Sequence, residues 1–428
     1  MSKTSETRKL KPFSRAITQC RICGNPALTP VLDLGDQAFT GIFPRSPAQP
    51  LPRGPIQLVK CDVAARPDAC GLLQLRHTFD PGTMYGENYG YRSGLNRSMV
   101  EHLQRKVEHL RRLIAVGPGD LVLDIGSNDG TTLSFYPANE ATLVGIDPTG
   151  AKFRAFYRAD IQQIPDFFSA AVFRRHFPDR QARIVSSIAM FYDLDEPLRF
   201  MQEVASVLAP DGLWHFEQSY MPLMLQRNSY DTACHEHLEY YALRQIKWMA
   251  DHSGLKIVDL SFNDINGGSF AVTAAPAGSP LPESPEVERL LAEERAAGLD
   301  GPTPYEAFRR RIDAQRDELL ALLGRLQAEG KKVFGYGAST KGNVLLQYCG
   351  LTAAELPCIA EVNPDKFGSF TPGTNIPIVS EADALARRPD YFLVLPWHFR
   401  ENILRRETAF LQAGGKFLFP LPQIEIVP

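Results

Sequence analysis

The feature that most constrains this chain is an apolar run that ends in a glycine turn. Leu121-Val122-Leu123-Asp124-Ile125 is followed by Gly126-Ser127-Asn128-Asp129-Gly130. Such a run, closed by Gly, Asn and Asp, predicts a buried strand entering a tight turn. Glycines at 126 and 130 can take positive φ and let a ligand approach the backbone closely. A second apolar run over 141–147 ends in Asp147, twenty-one residues after Gly126. In doubly wound sheets, an acid at the end of the second strand accepts the ribose hydroxyls of a bound nucleotide. Further strand-like stretches at 182–189, 213–219 and 256–263 alternate with helical periods at 198–208 and 243–254. The middle of the chain therefore predicts an α/β, parallel, doubly wound sheet. Before it, Met99, Leu103, Val107, Leu110, Leu113 and Ile114 recur at helical spacing, predicting an amphipathic helix over 95–115.

At about 150 residues per domain, 428 residues imply two or three domains. The expected segments are a small N-terminal module over 17–84 and the glycine-turn domain over 85–275. A Pro-rich linker with helices over 276–330 and a second α/β domain over 331–428 follow. The chain is 44% apolar and 22% charged, which suits a full globular core. Its net charge of -3 gives no positive excess, so nucleic acid is not expected as a partner. No run of about 18 apolar residues is present, so no membrane span is expected. The N-terminal MSKTSETRKLKPFSRA is basic without an apolar core and does not read as a signal peptide. A cytoplasmic setting is expected, as a monomer or small homo-oligomer.

Four of seven cysteines, Cys20, Cys23, Cys61 and Cys70, fall in the first 70 residues. Cys20-Arg21-Ile22-Cys23 reads as a metal knuckle, and tetrahedral structural zinc needs a second pair. Cys61 and Cys70 are nine apart rather than three, which enlarges that loop. Buried or free thiols are the alternative. A module of this size has little core, so a zinc staple would be structural.

Three further clusters stand out. Cys234-His235-Glu236-His237, followed by Tyr240 and Tyr241, is dense in titratable groups. On a strand or loop His235 and His237 would share a face. The cluster reads as a catalytic acid/base site, with a metal pair or a plain surface loop as alternatives. Met84–Gly94 is rich in tyrosine and glycine, and Tyr89 and Tyr91 are candidates to face a substrate, or simply pack the loop. Gly335-Tyr336-Gly337-Ala338-Ser339-Thr340-Lys341-Gly342 joins a strand to a helix. Its amides and Lys341 suit a pyrophosphate, although the spacing is not that of an ATP-binding loop.

Asp124-Ile125-Gly126 with Asn128, Asp129, Gly130 and Asp147 resembles the cofactor site of class I methyltransferases that use S-adenosylmethionine (SAM). The G-x-G-x-x-G of NAD-binding folds is not matched there. The order of motifs over the whole chain resembles the sugar C-methyltransferase family. The matching stretches are CRICGN, VLDLG, GLLQLRHTFD, YGYRSG, DIGSNDGTTL, the Glu236-His237 pair, NGGSF, YGASTKGN, PGTNIPI and FPLPQ. The resemblance implies a small N-terminal zinc-binding module, a central class I SAM methyltransferase Rossmann-like fold and a C-terminal Rossmann-like α/β domain. It implies methylation of a nucleotide-linked 4-keto-deoxysugar at the carbon next to the ketone. It implies His237 as base, with Glu236 orienting it or holding a sugar hydroxyl. Tyr89, Tyr91 or His235 would donate to the enolate oxygen. Asn266, Tyr336, Lys341 and Asn343 would contact the nucleotide sugar, and Cys20, Cys23, Cys61 and Cys70 would hold Zn²⁺.

Three positions depart from the family pattern. Cys234 stands where a tyrosine is usual, Met190-Phe191-Tyr192 replaces a histidine region, and Asn266 opens a segment that usually begins with histidine. The competing readings are a SAM-dependent methyltransferase of another small molecule, a zinc-knuckle RNA methyltransferase, and a non-catalytic nucleotide-sugar binder.

Overall fold

A computed structural model describes residues 14–84 and 92–428. Three main sheets are strung along the chain and share one continuous apolar core. The middle sheet has seven strands in the order Leu255–Asn263, Ser269–Pro276, Leu208–Ser219, Ala182–Ile188, Leu121–Ile125, Thr142–Ile146, Ile161–Ile164. The last five run parallel, as the alternation predicts. Ser269–Pro276 runs antiparallel between its two neighbours, so the sheet is mixed. The expected Pro-rich linker over 276–330 begins where this strand ends, and no strand is expected directly before it. Yet Ser269–Ala275 is buried on both sides, and a continuously apolar stretch can be an inner strand despite a nearby proline.

The long helix is Arg97–Leu113. Asn96 caps it by accepting from Ser98 N, and Leu103, Val107 and Leu110 are buried on its inner face. Val107 and Leu110 pack on Val122, Leu143, Ile184 and Leu213 of the sheet, so the predicted stripe is the buried one.

The N-terminal sheet has the order Glu239–Tyr240, Leu73–Leu75, Arg53–Cys61, Leu28–Ala38. Its edge strand thus comes from a segment more than 160 residues downstream, pairing antiparallel with Glu239 opposite Gln74. The C-terminal sheet runs Ile378–Ser380, Ile359–Glu361, Val333–Tyr336, Tyr391–Val394, Lys416–Phe419, Glu425–Val427, parallel except for the last strand. Helices Glu286–Ala296 and Thr303–Ala328 lie between the second and third sheets in sequence. No described helix is long and apolar enough to cross a membrane.

Candidate functional site

The cysteine tetrad is assembled from two loops. In the first knuckle Gly24 N donates to Cys20 O (3.0 Å), and Cys20 N donates to Asn25 O (2.9 Å). All four Sγ atoms lie within 4.8 Å of one another, with Cys20–Cys70 at 3.5 Å and Cys23–Cys61 at 3.6 Å. A tetrahedron of 2.3 Å Zn–S bonds has edges of about 3.8 Å, so the donors fit Zn²⁺. Asn25 Nδ2 donates to Cys61 Sγ (3.4 Å), a second-layer contact common at thiolate sites. Hydrogen bonding from Cys20 lowers the Cys23 and Cys61 thiols, the latter to about 6. The nine-residue spacing is accommodated by a loop that Arg66 closes, donating to Cys23 O (2.8 Å).

The first glycine turn lies at the carboxyl end of Leu121–Ile125. Gly126, Asn128 and Gly130 have φ of 71°, 50° and 76°. A Cβ on Gly130 would stand 3.1 Å from the Tyr157 ring, and one on Gly126 3.2 Å from Met190 Cγ. Asp147 accepts from Asn128 N (2.8 Å) and from Thr149 N and Oγ1. Asp129 accepts from Gly94 N (2.9 Å), and Asn128 Oδ1 accepts from Ser93 N (2.9 Å). The segment that leaves the tyrosine-glycine stretch is therefore docked onto the turn. Tyr89 and Tyr91 themselves lie outside the described residues. Asp124 is buried and accepts from Ser186 Oγ (2.6 Å). Burial raises its carboxyl to about 7. Three acids around one positive-φ turn suit a ligand bearing sulfonium and ammonium charge, as SAM does.

The His235–His237 cluster is a turn, and the two histidines do not share a face. His235 is fully buried, 4.4 Å and 4.8 Å from the Phe39 and Phe79 ring centroids, with Nε2 on the Gly54 carbonyl (3.1 Å). This corrects the shared-face expectation: a turn rotates successive side chains where a strand would alternate them. The metal pair that depended on it is not formed.

His237 points the other way. Its Nδ1 lies 2.7 Å from the Thr232 carbonyl, which can only accept, so Nδ1 carries the proton. Nε2 keeps its lone pair. The Tyr192 ring stands edge-on at 4.5 Å. Burial, aided by the Lys341 charge, lowers the imidazole to about 4. Glu236 Oε2 is buried and has no hydrogen-bond partner among the described residues. Its Oε1 lies 3.3 Å from where a Gly41 Cβ would sit. Burial raises its carboxyl, and burial with the adjacent Glu236 raises the Cys234 thiol.

The second glycine turn follows Val333–Tyr336. Gly337 has φ 80°, and Ala338 N donates to Glu361 Oε2 (2.8 Å). Lys341, in the first turn of Thr340–Cys349, acts electrostatically on His237 and His398; burial lowers its own ammonium, and the Asp231 charge partly offsets that. Two neighbouring residues are engaged elsewhere. Tyr336 Oη donates to Glu407 Oε1 (2.9 Å), and its ring packs on Phe392 and Phe417. Asn343 is fully buried, with Nδ2 donating to Thr40 O (2.8 Å). Tyr336 Oη and Asn343 Nδ2 are thus engaged within the fold, while Asn343 Oδ1 is buried with no hydrogen-bond partner among the described residues. Asn266 sits in the turn Ile265–Gly267, whose Gly267 lies against Trp397.

Several groups escaped the sequence reading. Trp397 Nε1 donates to Asp231 Oδ2 (2.8 Å), drawing the 397 and 231 loops together. Glu217 is buried between His102 (2.7 Å), Lys106 (2.6 Å) and Asn263 (2.8 Å). Burial opposes its charge, but His102 and Lys106 outweigh that and hold the carboxyl down at about 2. The available signal was His102 and Lys106 one turn apart on an otherwise apolar helix face.

Comparison with known proteins follows the same three parts. A zinc binding domain model matches residues 20–85, a methyltransferase domain model 99–260, and a C-methyltransferase C-terminal domain model 264–422. C-methyltransferase NovU of Streptomyces niveus is 32% identical over 422 residues, covering 98% of this chain and 99% of that protein. The 27-O-demethylrifamycin SV methyltransferase of Amycolatopsis mediterranei is 26% identical over 137 residues, 30% of this chain and 50% of that protein. Among solved structures, a SAM-dependent methyltransferase from Clostridium acetobutylicum aligns at 9% identity. It covers 41% of this chain and 92% of that one, with a TM-score of 0.33.

Proposed function

Since the chain belongs to the C-methyltransferase family and is a SAM-dependent methyltransferase with a zinc-binding N-terminal part, we propose that it methylates a nucleotide-linked 4-keto-deoxysugar at the carbon next to the ketone. The observation that carries this reading is the state of His237. Its Nδ1–H is fixed on Thr232 O, and burial keeps the ring neutral, so a lone pair is available on Nε2. A general base needs that protonation state and that orientation.

A carbon attacks a methyl donor only after losing a proton, and the adjacent ketone spreads the resulting charge as an enolate. His237 Nε2 takes the proton. The C–H electron pair enters the enolate, a new C–C bond forms as the S–CH₃ bond breaks, and the proton leaves later from His237 to solvent. SAM supplies an electrophilic methyl on a sulfonium and needs no metal activation. Glu236 Oε2, which has no hydrogen-bond partner among the described residues, would take a sugar hydroxyl. Lys341, whose charge acts on His237, would bring a positive charge to the diphosphate and the enolate, which are both anionic. As these anions approach, the lysine field on His237 is offset and the imidazole becomes the stronger base. Asp147 and the turn at 126–130 would hold the donor, and Cys20, Cys23, Cys61 and Cys70 would hold Zn²⁺ away from the chemistry.

The test is incubation with SAM and a panel of nucleoside diphosphate-linked 4-keto-deoxyhexoses, read by mass. Gain of one methyl on carbon, located by NMR, is the expected result. Methyl transfer to oxygen or nitrogen, or to no keto-sugar while another small molecule is methylated, would overturn it.

A further inference from the structure

The zinc knuckle reaches the proposed base through one side chain. Arg21 lies between Cys20 and Cys23, yet its side chain is only 2% exposed and points into the fold. Its Nε lies 3.3 Å from Asp195 Oδ1 and 3.6 Å from Glu239 Oε1. Its Nη1 donates to Leu75 O (2.5 Å), and its Nη2 donates to Thr78 Oγ1 (2.9 Å). The two carboxylates belong to the two segments that enclose His237. Asp195 is three residues after Tyr192, whose ring stands edge-on to the imidazole. Glu239 is two residues after His237 and fully buried, with neither carboxylate oxygen hydrogen-bonded among the described residues.

Main-chain bonds complete the connection. Leu238 N donates to Tyr192 O and Leu75 N donates to Leu238 O, both at 2.8 Å. The strand Glu239–Tyr240 is an edge strand of the knuckle's own sheet. A planar guanidinium with five donors can hold several acceptors in fixed directions, which a lysine cannot.

We infer that Arg21 is a positioning residue for His237, clamping the Tyr192 loop and the Glu239 strand so that the imidazole keeps its Nδ1–H on Thr232 O. The inference rests on the reading of His237 as base. It assigns the N-terminal module a part in catalysis beyond its own folding: the sheet that the cysteines staple also sets the reacting geometry. Removing the guanidinium takes away the one group that lies against both the Asp195 and the Glu239 carboxyls, so the two segments lose their common anchor.

The test uses full-length protein labelled with ¹⁵N-histidine; the nine histidines are few enough to follow, and His237→Asn assigns the signal. In wild type, His237 should be the Nδ1–H tautomer and titrate far below the ordinary imidazole value of about 6.5. In Arg21→Gln, zinc content and S-adenosylhomocysteine affinity should stay within twofold. The His237 signal should lose its single tautomer, and turnover of an accepted keto-sugar should fall at least tenfold with little change in KM. Arg21→Lys should not restore it. An unchanged His237 tautomer in zinc-loaded Arg21→Gln would overturn the clamp.

If that variant sheds zinc, Glu239→Gln decides, because it leaves the knuckle intact: the same change in His237 supports the inference and an unchanged signal overturns it. Normal turnover in His237→Asn would instead overturn the base reading, whatever Arg21 does.

Discussion

Two glycine turns in this molecule share one device and differ in charge. In both, an acid at the end of the next strand accepts an amide from the turn: Asp147 from Asn128 N and Glu361 from Ala338 N, each at 2.8 Å. Around the first turn stand Asp124, Asp129 and Asp147. Around the second stand Lys341 and Lys366, the latter donating to Ala338 O (2.7 Å). The backbone geometry prepares a close approach in each case, and the side-chain charge decides what approaches. An acidic turn suits a cationic methyl donor, and a basic one suits a diphosphate. The fold alone, repeated twice in one chain, does not distinguish them.

The same glycine change should have unequal effects in the two turns. A Cβ on Gly337 would stand 2.7 Å from Cδ and Cγ of the Pro396 ring, at φ 80°. Gly337→Ala should therefore cost about 2–5 kcal/mol, combining overpacking with left-handed strain. In Gly126→Ala the nearest atom is the flexible Met190 side chain, so strain dominates and the cost should be roughly 1–2 kcal/mol. Urea unfolding of both variants checks this; equal losses would mean the second turn is as adaptable as the first.

Asp147→Ala should weaken S-adenosylhomocysteine binding by about 1.5–3 kcal/mol, the range for hydrogen bonds to charged groups, with sugar binding spared. Calorimetric titration reads it, and unchanged affinity would place the donor elsewhere. Lys341→Met should do the converse. A roughly tenfold rise in KM for the nucleotide sugar, or about 1.4 kcal/mol, is expected with unchanged S-adenosylhomocysteine affinity. Loss of both ligands together would erase the distinction between the turns.

Lys341→Met also predicts a pH effect of definite sign. His237 is lowered to about 4 by burial first and by Lys341 second. The base works only when unprotonated, so wild-type activity should hold as pH falls through 6.5 and be lost near 4. Without Lys341 the imidazole binds its proton more readily, and the acid limb should move up, part of the way to 6.5. A limb that stays put would show that the lysine field does not reach the base.

Much of this was legible because periodicity and turn chemistry are local. The run at 121–130 and the acid at 147 predicted the first turn, and the pattern of Met99 to Ile114 predicted the helix on it. The cysteine spacing told of the tetrad even with an enlarged second loop. What stayed hidden depends on distant contacts. Nothing in residues 235–237 says that a turn will send His235 between Phe39 and Phe79 while His237 faces Tyr192. Nothing near Cys61 says that its sheet will take an edge strand from Glu239–Tyr240. Tyr336 and Asn343 lie within a recognisable motif, yet distant contacts with Glu407 and Thr40 take the Tyr336 hydroxyl and the Asn343 Nδ2.

The central claim, that His237 removes a proton from carbon, is tested most directly by exchange without methylation. A keto-sugar that the enzyme methylates is incubated with S-adenosylhomocysteine in D₂O, and loss of the proton at the acceptor carbon is followed by NMR. Wild-type enzyme should catalyse the exchange. His237→Asn, with its S-adenosylhomocysteine affinity intact, should be slower by about 10²–10⁴-fold, the usual contribution of a positioned base. Exchange at the wild-type rate in His237→Asn would contradict the account.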